Sequence, residues 1–236
     1  LNGKIVSSDE TGFIFKVGEN KYKLNILGEF NVYNALAAIA VGRSQKISDA
    51  KIAEGLASVK LVEGRMELID EGPDFATAST GKQNFKVMVD YAHEPLSLTE
   101  LFKSLRLMAG ISGKLIAVIG SDGGGRDQSK RERMGEIAAS LADYVVITDV
   151  NCYDEDPKQI AAMLAAGARK FGKIDGQNLF IELDRRRGIA KALTLAGAGD
   201  VVAITAKGTE PCMAVANGKK IPWSDRKVVR EILKSI

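Results

Sequence analysis

The residues best suited to binding or activating a ligand fall in four short runs, each following an apolar stretch: Asp90-Tyr91-Ala92-His93, Gly120-Ser121-Asp122-Gly123-Gly124-Gly125-Arg126-Asp127, Thr148-Asp149-Val150-Asn151 and Lys207-Gly208-Thr209-Glu210. Carboxylates orient ammonium groups, arginine and lysine bind carboxylates or phosphates, and an amide both donates and accepts. Singly, each run has a plainer explanation. An aspartate after a strand caps the next turn, the lone histidine His93 is structural, and the glycine run is a flexible turn. The glycine run matches neither G-x-G-x-x-G nor the Gly-Lys-Ser/Thr ending of a phosphate-cradling loop. The coincidence of all four runs carries more weight. If the apolar stretches are strands of one parallel sheet, the four runs share its carboxyl edge, where such sheets bind ligands.

The elements needed to align them are legible. From Phe85 the chain alternates strand and helix: strands at 85–91, 114–120, 144–148, 179–183 and 200–205, and helices at 97–109, 130–142, 157–171 and 184–196. The apolar strands are nearly continuous, as strands buried on both faces are. Pro157 suits a first helical turn and Asp184 suits a helix cap. This predicts an α/β fold, a Rossmann-like, doubly wound, mostly parallel sheet. Residues 213–223 read as a hairpin around Asn217-Gly218, with a final helix from Ser224. Earlier, 1–26 alternates apolar and polar residues as short antiparallel strands. A helix from Phe30 carries Val32, Leu36, Ile39 and Ala40 as its apolar stripe, a second helix runs from Ser48 through Leu56, and Gly64 opens a further strand-rich stretch.

Bulk properties narrow the partners. Among 236 residues, 45% are hydrophobic and 27% charged, enough for a substantial core. A net charge of +3 with interspersed signs does not suggest nucleic-acid binding. Cys152 and Cys212 lie far apart, which argues against a disulfide framework or a zinc site and fits a reducing cytosol. No apolar run is long enough to span a membrane, and no signal peptide is evident.

The motifs GEFNVYNALAA (28–38), EGRME (63–67), DYAHEP (90–95), GGGRDQSKRERMGEIA (123–138), NCYDEDP (151–157) and AKGTE (206–210) together resemble the Mur ligases, most closely the E-type enzymes, over essentially the whole chain. The resemblance implies that residues 1–63 are an α+β remnant of the central ATPase domain and 64–236 the carboxy-terminal domain. It implies ATP as cofactor, with Mg²⁺ ligands and the P-loop in amino-terminal domains missing from this sequence, and a cytoplasmic location. It implies a ligase that adds an amino acid to UDP-N-acetylmuramoyl-dipeptide in peptidoglycan biosynthesis. The chain alone is then expected to be inactive. The competing readings are a folylpolyglutamate-synthase-like ligase and a non-catalytic small-molecule-binding module.

Residue by residue, the resemblance implies that Asn31 and Asn34 hold the nucleotide, with Asn34 near the adenine. Arg65 reaches the phosphates, Asp90 holds ribose and interdomain geometry, and His93 joins the same turn; Arg65, Asp90 and His93 form the expected catalytic set. Arg126 matches the position for the incoming amino acid's carboxylate, and Glu210 the acidic residue for its amine or side-chain end. Asn151, Tyr153 and Lys207 complete the amino-acid set, with Lys207 a partner for phosphate or carboxylate. Alternatives are helix capping for Asn31 and a salt bridge for Arg65. No metal ligand is expected within the chain. Where diaminopimelate-adding enzymes carry Asp-Asn-Pro-Arg, this chain has Val150-Asn151-Cys152-Tyr153. Loss of that arginine disfavours an amino acid with a second carboxylate. The family Gly-Lys-Gly-His-Glu becomes Ala206-Lys207-Gly208-Thr209-Glu210, and the longer glycine loop lacks an acidic residue directly before Arg126.

Overall fold

The computed structural model describes residues 1–9, 11–69, 85–110 and 112–235. The chain divides into two compact units, Leu1–Met66 and Glu67–Ile236.

In the first unit, β1 (Lys4–Asp9), β2 (Gly12–Val17) and β3 (Asn20–Leu24) form an antiparallel meander. Alternation along β2 and β3 sends Phe15, Val17, Tyr22 and Leu24 to one face. Helices α1 (Phe30–Ser44) and α2 (Asp49–Ser58) cover that face with Val32, Ala35, Ile39 and Ile52. The stripe on α1 therefore differs from the expected one: Ala40 is exposed and Ala35 is buried. In an Ala-rich helix small residues fit either face, so periodicity discriminates poorly. Arg43 and the Tyr22 hydroxyl both bond Asp49, which ties α1 and β3 to the start of α2.

The second unit holds a six-stranded sheet of order β4-β5-β9-β6-β7-β8. Its strands are β4 (Glu67–Leu68), β5 (Lys86–Val89), β6 (Leu115–Ile119), β7 (Tyr144–Ile147), β8 (Leu179–Ile181) and β9 (Val201–Ile204). All neighbours pair in parallel except β4, which is antiparallel to β5. Of the strand-rich stretch expected from Gly64, 70–84 lies outside the described residues. Helices α3 (Pro95–Ala109), α4 (Ser129–Leu141), α5 (Pro157–Lys170) and α6 (Arg185–Leu195) make the crossovers. All five residues of β6 and all four of β9 are buried, as a sheet covered on both faces requires. One face packs on α6 and on α7 (Asp225–Leu233), through Ile189, Leu193, Val229 and Ile232. Between β9 and α7, β10 (Cys212–Val215) and β11 (Lys219–Pro222) form the expected hairpin, with Asn217 and Gly218 both at positive φ.

Two features fix the helices. α4 and α5 touch backbone to backbone: a Cβ added at Gly135 would lie 1.9 Å from the Leu164 carbonyl oxygen, and one added at Gly167 1.9 Å from that of Glu132. Because α4 follows the glycine loop and α5 follows residues 151–156, this contact also sets the two loops side by side. On the other face, Arg185 and Asp225 form a bidentate ion pair at 2.7–2.8 Å with both side chains fully buried, and Arg185 also donates to the Thr205 carbonyl. The Trp223 indole N–H donates to Asp225 at 2.7 Å. The pair pins the starts of α6 and α7 to the end of β9.

Removing one partner of such a pair strands a buried charge, at a cost of about 3–5 kcal/mol. Asp225→Ala is therefore expected to lower the melting temperature of this chain by on the order of 10 °C, and Arg185→Met/Asp225→Leu by much less; calorimetry checks both. Gly135→Ala is expected to cost ~1–3 kcal/mol in denaturant unfolding.

Candidate functional site

The parallel sheet delivers the four polar runs to one edge. β5 ends at Val89, β6 at Ile119, β7 at Ile147 and β9 at Ile204, so the segments that follow converge beyond the same ends.

At the centre lies a closed polar network. The Lys207 ammonium donates to Asn151 Oδ1 at 2.9 Å, Glu210 Oε2 at 2.5 Å and the Cys212 carbonyl at 2.5 Å. Asn151 Nδ2 donates to Asp122 Oδ1 at 2.9 Å and Glu210 Oε2 at 3.2 Å, and its Oδ1 also accepts from the Ala214 N–H at 2.9 Å. The Tyr91 hydroxyl donates to Glu210 Oε1 at 3.2 Å. One network thus takes residues from the ends of β5, β6, β7 and β9 and from the hairpin. Burial would raise the pKa of Glu210, but the hydrogen bonds from Lys207, Asn151 and Tyr91 and the Lys207 charge outweigh it and hold the carboxyl below its ordinary range.

Two neighbouring groups move the other way. Burial, above all, raises the Asp149 carboxyl, against the N–H of Val150 and the charge of Arg185. The Cys152 thiol is pushed up to about 11 by burial and by Asp149, which leaves it a neutral, unreactive thiol.

The glycine loop is packed rather than free. The Gly123 N–H donates to the Asn151 carbonyl at 2.8 Å, and a Cβ there would meet the Cys152 carbonyl oxygen at 2.2 Å. At Gly124, φ is +68° and a Cβ would sit 2.7 Å from the Tyr153 ring. The ring of Tyr153, itself at φ 52°, therefore lies against the loop. Arg131, 1% exposed, clamps the loop from behind by donating to the Asp122 carbonyl at 3.0 Å and to Glu155 at 2.8 Å. Glu155 in turn accepts from the Gly125 N–H at 3.1 Å. Arg126 stands exposed at the tip and makes no ion pair with the other described residues.

The remaining expected residues are placed as follows. The Asp90 carboxylate accepts from the Ala92 N–H at 2.6 Å and shapes the turn after β5. His93 Nδ1 lies 2.8 Å from the Tyr91 carbonyl, which can only accept, so this nitrogen carries the proton. The His93 ring stacks edge-on against Tyr91, and its Nε2 lies 3.8 Å from Glu94, which also pairs with Lys130. In the first unit, Asn31 is in the first turn of α1; its Nδ2 donates to the Leu27 carbonyl at 2.5 Å and its Oδ1 accepts from Asn34 at 2.9 Å. Arg65 is exposed in the turn 62–66, with Nη1 on the Gly64 carbonyl. The structure thus joins Asn151, Lys207 and Glu210 directly, sets Tyr153 and Arg126 on the adjoining loop, and pairs Asn31 with Asn34. Among the described residues no three His, Cys, Asp or Glu side chains are grouped to hold a metal ion.

Sequence reasoning missed the clamp of Arg131 and Glu155, the Lys130–Glu94 pair and the hydroxyl of Tyr91. The available signal was a pair of basic residues in the helical turn after a glycine loop, with an acidic residue shortly before Pro157.

Residues 64–208 match the family described as "Mur ligase, glutamate ligase domain". The chain belongs to the Mur ligase family. It is 38% identical over 231 residues to a UDP-N-acetylmuramoyl-L-alanyl-D-glutamate--2,6-diaminopimelate ligase of Syntrophomonas wolfei, covering 97% of this chain and 44% of that protein. It is 36% identical to a UDP-N-acetylmuramyl-tripeptide synthetase of Deinococcus radiodurans, with 97% and 44% covered. A solved UDP-N-acetylmuramoyl-L-alanyl-D-glutamate--2,6-diaminopimelate ligase superposes with a TM-score of 0.62 at 27% identity, covering 98% of this chain and 45% of that one. The fold is shared with a folylpolyglutamate synthase from Thermotoga maritima, TM-score 0.57 at 22% identity, covering 86% and 43%. The chain spans under half the length of these Mur ligase relatives.

The clamp is testable through Glu155. Its carboxyl is held below the ordinary range by the Gly125 N–H first and Arg131 second, so the bond to the loop persists until pH falls through that depressed value. Glu155→Gln removes a charge-assisted bond, and amide exchange at Gly125 is expected to accelerate by roughly tenfold or more, with the central strands unchanged.

Proposed function

We propose that this chain is the amino-acid-recognising part of an ATP-dependent ligase, acting in the cytoplasm, that joins an amino acid to UDP-N-acetylmuramoyl-dipeptide during peptidoglycan biosynthesis. One observation carries the reading: an Asn151–Lys207–Glu210 network, with Asn151 and Lys207 buried and Glu210 partly exposed, beside a clamped glycine loop that holds out Arg126. An amino acid brings a carboxylate and an ammonium a few ångströms apart. Arg126 supplies the cation for the first, and Glu210 with Asp122 the anions for the second. The named activities of the relatives support the same chemistry.

The reaction needs a carboxylate of the UDP-linked peptide to attack the γ-phosphate of ATP, giving an acyl phosphate and ADP. The amine then attacks the acyl carbon and phosphate leaves. This chain contributes by holding the amine in line, which lowers the entropic part of the barrier. By the resemblance, Asn31 and Asn34 contact the nucleotide and Arg65 its phosphates, while Asp90 and His93 order the turn after β5. The family resemblance assigns the Mg²⁺ ligands and the P-loop to parts of the parent protein outside this sequence. Tyr153 offers a phenol where an arginine would read a second carboxylate, so amino acids with one carboxylate are preferred to diaminopimelate.

The test is a titration of the 236-residue chain with L-lysine, L-alanine, L-glutamate and meso-diaminopimelate, followed by amide chemical shifts. A one-carboxylate amino acid is expected to move the amides of 123–126 and 207–210, and Arg126→Ala to weaken it roughly tenfold or more. Binding of none of the four, or undiminished binding by Arg126→Ala, sinks the reading. Preferential binding of glutamate would favour a folylpolyglutamate-synthase-like acceptor instead.

A further inference from the structure

Lys207 has the charge to meet a phosphate or a substrate carboxylate, and its sequence context groups it with ligand-binding residues. Its geometry gives it a different task. The residue is 0% exposed. An ammonium has three N–H donors, and the three acceptors Asn151 Oδ1, Glu210 Oε2 and the Cys212 carbonyl account for all of them. The backbone is built to turn the side chain inward: Ala206 before it has φ 83°, a conformation an alanine adopts only under strain, and Gly208 after it has φ 51°. The Glu210 N–H returns to the Lys207 carbonyl at 2.9 Å, which closes the turn that carries the carboxylate.

We propose that Lys207 is a positioning residue: its buried ammonium locks the Asn151 amide, the Glu210 carboxylate and the start of the hairpin into one unit that presents Glu210 and Asn151 to the amino acid, and it touches no ligand itself. The amide orientation follows from this lock. With Oδ1 held by Lys207 and the Ala214 N–H, Nδ2 must face Asp122 and Glu210. The titratable groups facing Glu210 are Lys207 from the turn after β9 and Tyr91 from the end of β5, with Asp122 from the end of β6 reaching it through Asn151. Of these only Lys207 is a cation, so it alone supplies the charge that, with the hydrogen bonds, lowers the Glu210 carboxyl.

The amino-acid part of this inference rests on the proposed function; the electrostatic part does not, and the two are measured separately. The first measurement follows the Glu210 carboxyl carbon by NMR against pH. In Lys207→Met its midpoint is expected to rise by about one pH unit or more, and an unmoved midpoint overturns the proposal. Because Lys207→Met is at risk of misfolding, Lys207→Met/Glu210→Gln, which removes both charges, serves as the folding control, and the intact chain supplies a second readout. In the intact chain a saturating amino acid is expected to shift the Glu210 carboxyl and Asn151 amide signals and to leave the Lys207 ¹⁵Nζ signal in place. Movement of that signal as large as theirs means direct contact and overturns the proposal.

The second measurement is amino-acid affinity against pH. Lys207→Met should bind weakly at pH below the new Glu210 midpoint and recover as pH rises through it, while Glu210→Gln stays weak throughout. A loss that no pH restores counts against positioning and for direct contact. If the intact chain binds no amino acid, the proposed function falls and the positioning inference stands or falls on the Glu210 titration alone.

Discussion

The structure of the second unit depends on the parallel pairing of β5, β9, β6 and β7. Parallel neighbours end at the same edge, so each crossover must begin there, and each begins with a polar loop. That constraint gathers residues separated by more than a hundred positions, Tyr91 and Glu210 for instance, into one hydrogen-bonded network. It also concentrates peptide groups and charges in a small volume. The burial of Lys207 and Arg131 answers this: each is a cation placed inside to neutralise the carboxylate that faces it and to occupy carbonyls that the loops leave unpaired. An unpaired group in such a place costs more than its bond gains; all three donors of Lys207 are met, whereas the buried Arg131 Nε has no hydrogen-bond partner among the described residues.

Much of this was readable in advance, and the reason is periodicity. The strands of the second unit are apolar on both faces, and a run such as Leu115–Ile119 between Gly-rich and charged segments has few other readings. Pro157 and Asp184 mark helix starts for reasons of backbone chemistry that hold without tertiary context; Asp184 indeed accepts from the Arg187 N–H. The Ala-rich helix α1 was harder, because Ala35 and Ala40 differ by burial and not by chemistry. Its apolar stripe could be assigned only once the meander that it covers was known.

For the site, sequence identified the residues and not their relations. Lys207 is the clearest case. Its charge suggested a ligand contact, and only coordinates reveal that its three donors are spent inside the protein. Arg131 and Lys130 carried no assigned role in the sequence beyond the motif at 123–138, whereas α4 turns both inward onto Glu155 and Glu94. The glycine run had been open to interpretation as a loose turn. It needs glycine for close approach, since Gly123 and Gly124 lie against the Cys152 carbonyl and the Tyr153 ring.

These relations bear on specificity. Counting charges that face one another at the edge, Lys207 neutralises one carboxylate of the Asp122–Glu210 pair, and the inner end keeps a net negative charge. The outer end carries Arg126. An amino acid is a dipole of matching sense. On the proposed reading, a second ammonium on the substrate would meet the surplus charge near Asp122, and a second carboxylate would meet the Tyr153 phenol, since the glycine-loop N–H groups of Gly123 and Gly125 are already bonded within the protein. A phenol donates one neutral hydrogen bond where an arginine donates two charged ones, and desolvating a carboxylate against it is unfavourable. Discrimination then comes from the missing cation rather than from steric exclusion. Since Tyr153 is held at positive φ with its ring on Gly124, restoring an arginine at this position would change the support of the loop together with the charge. On that reading, the loop carrying Arg126 and the residue proposed to set the number of carboxylates are one packed unit, so substrate preference and loop geometry are expected to change together.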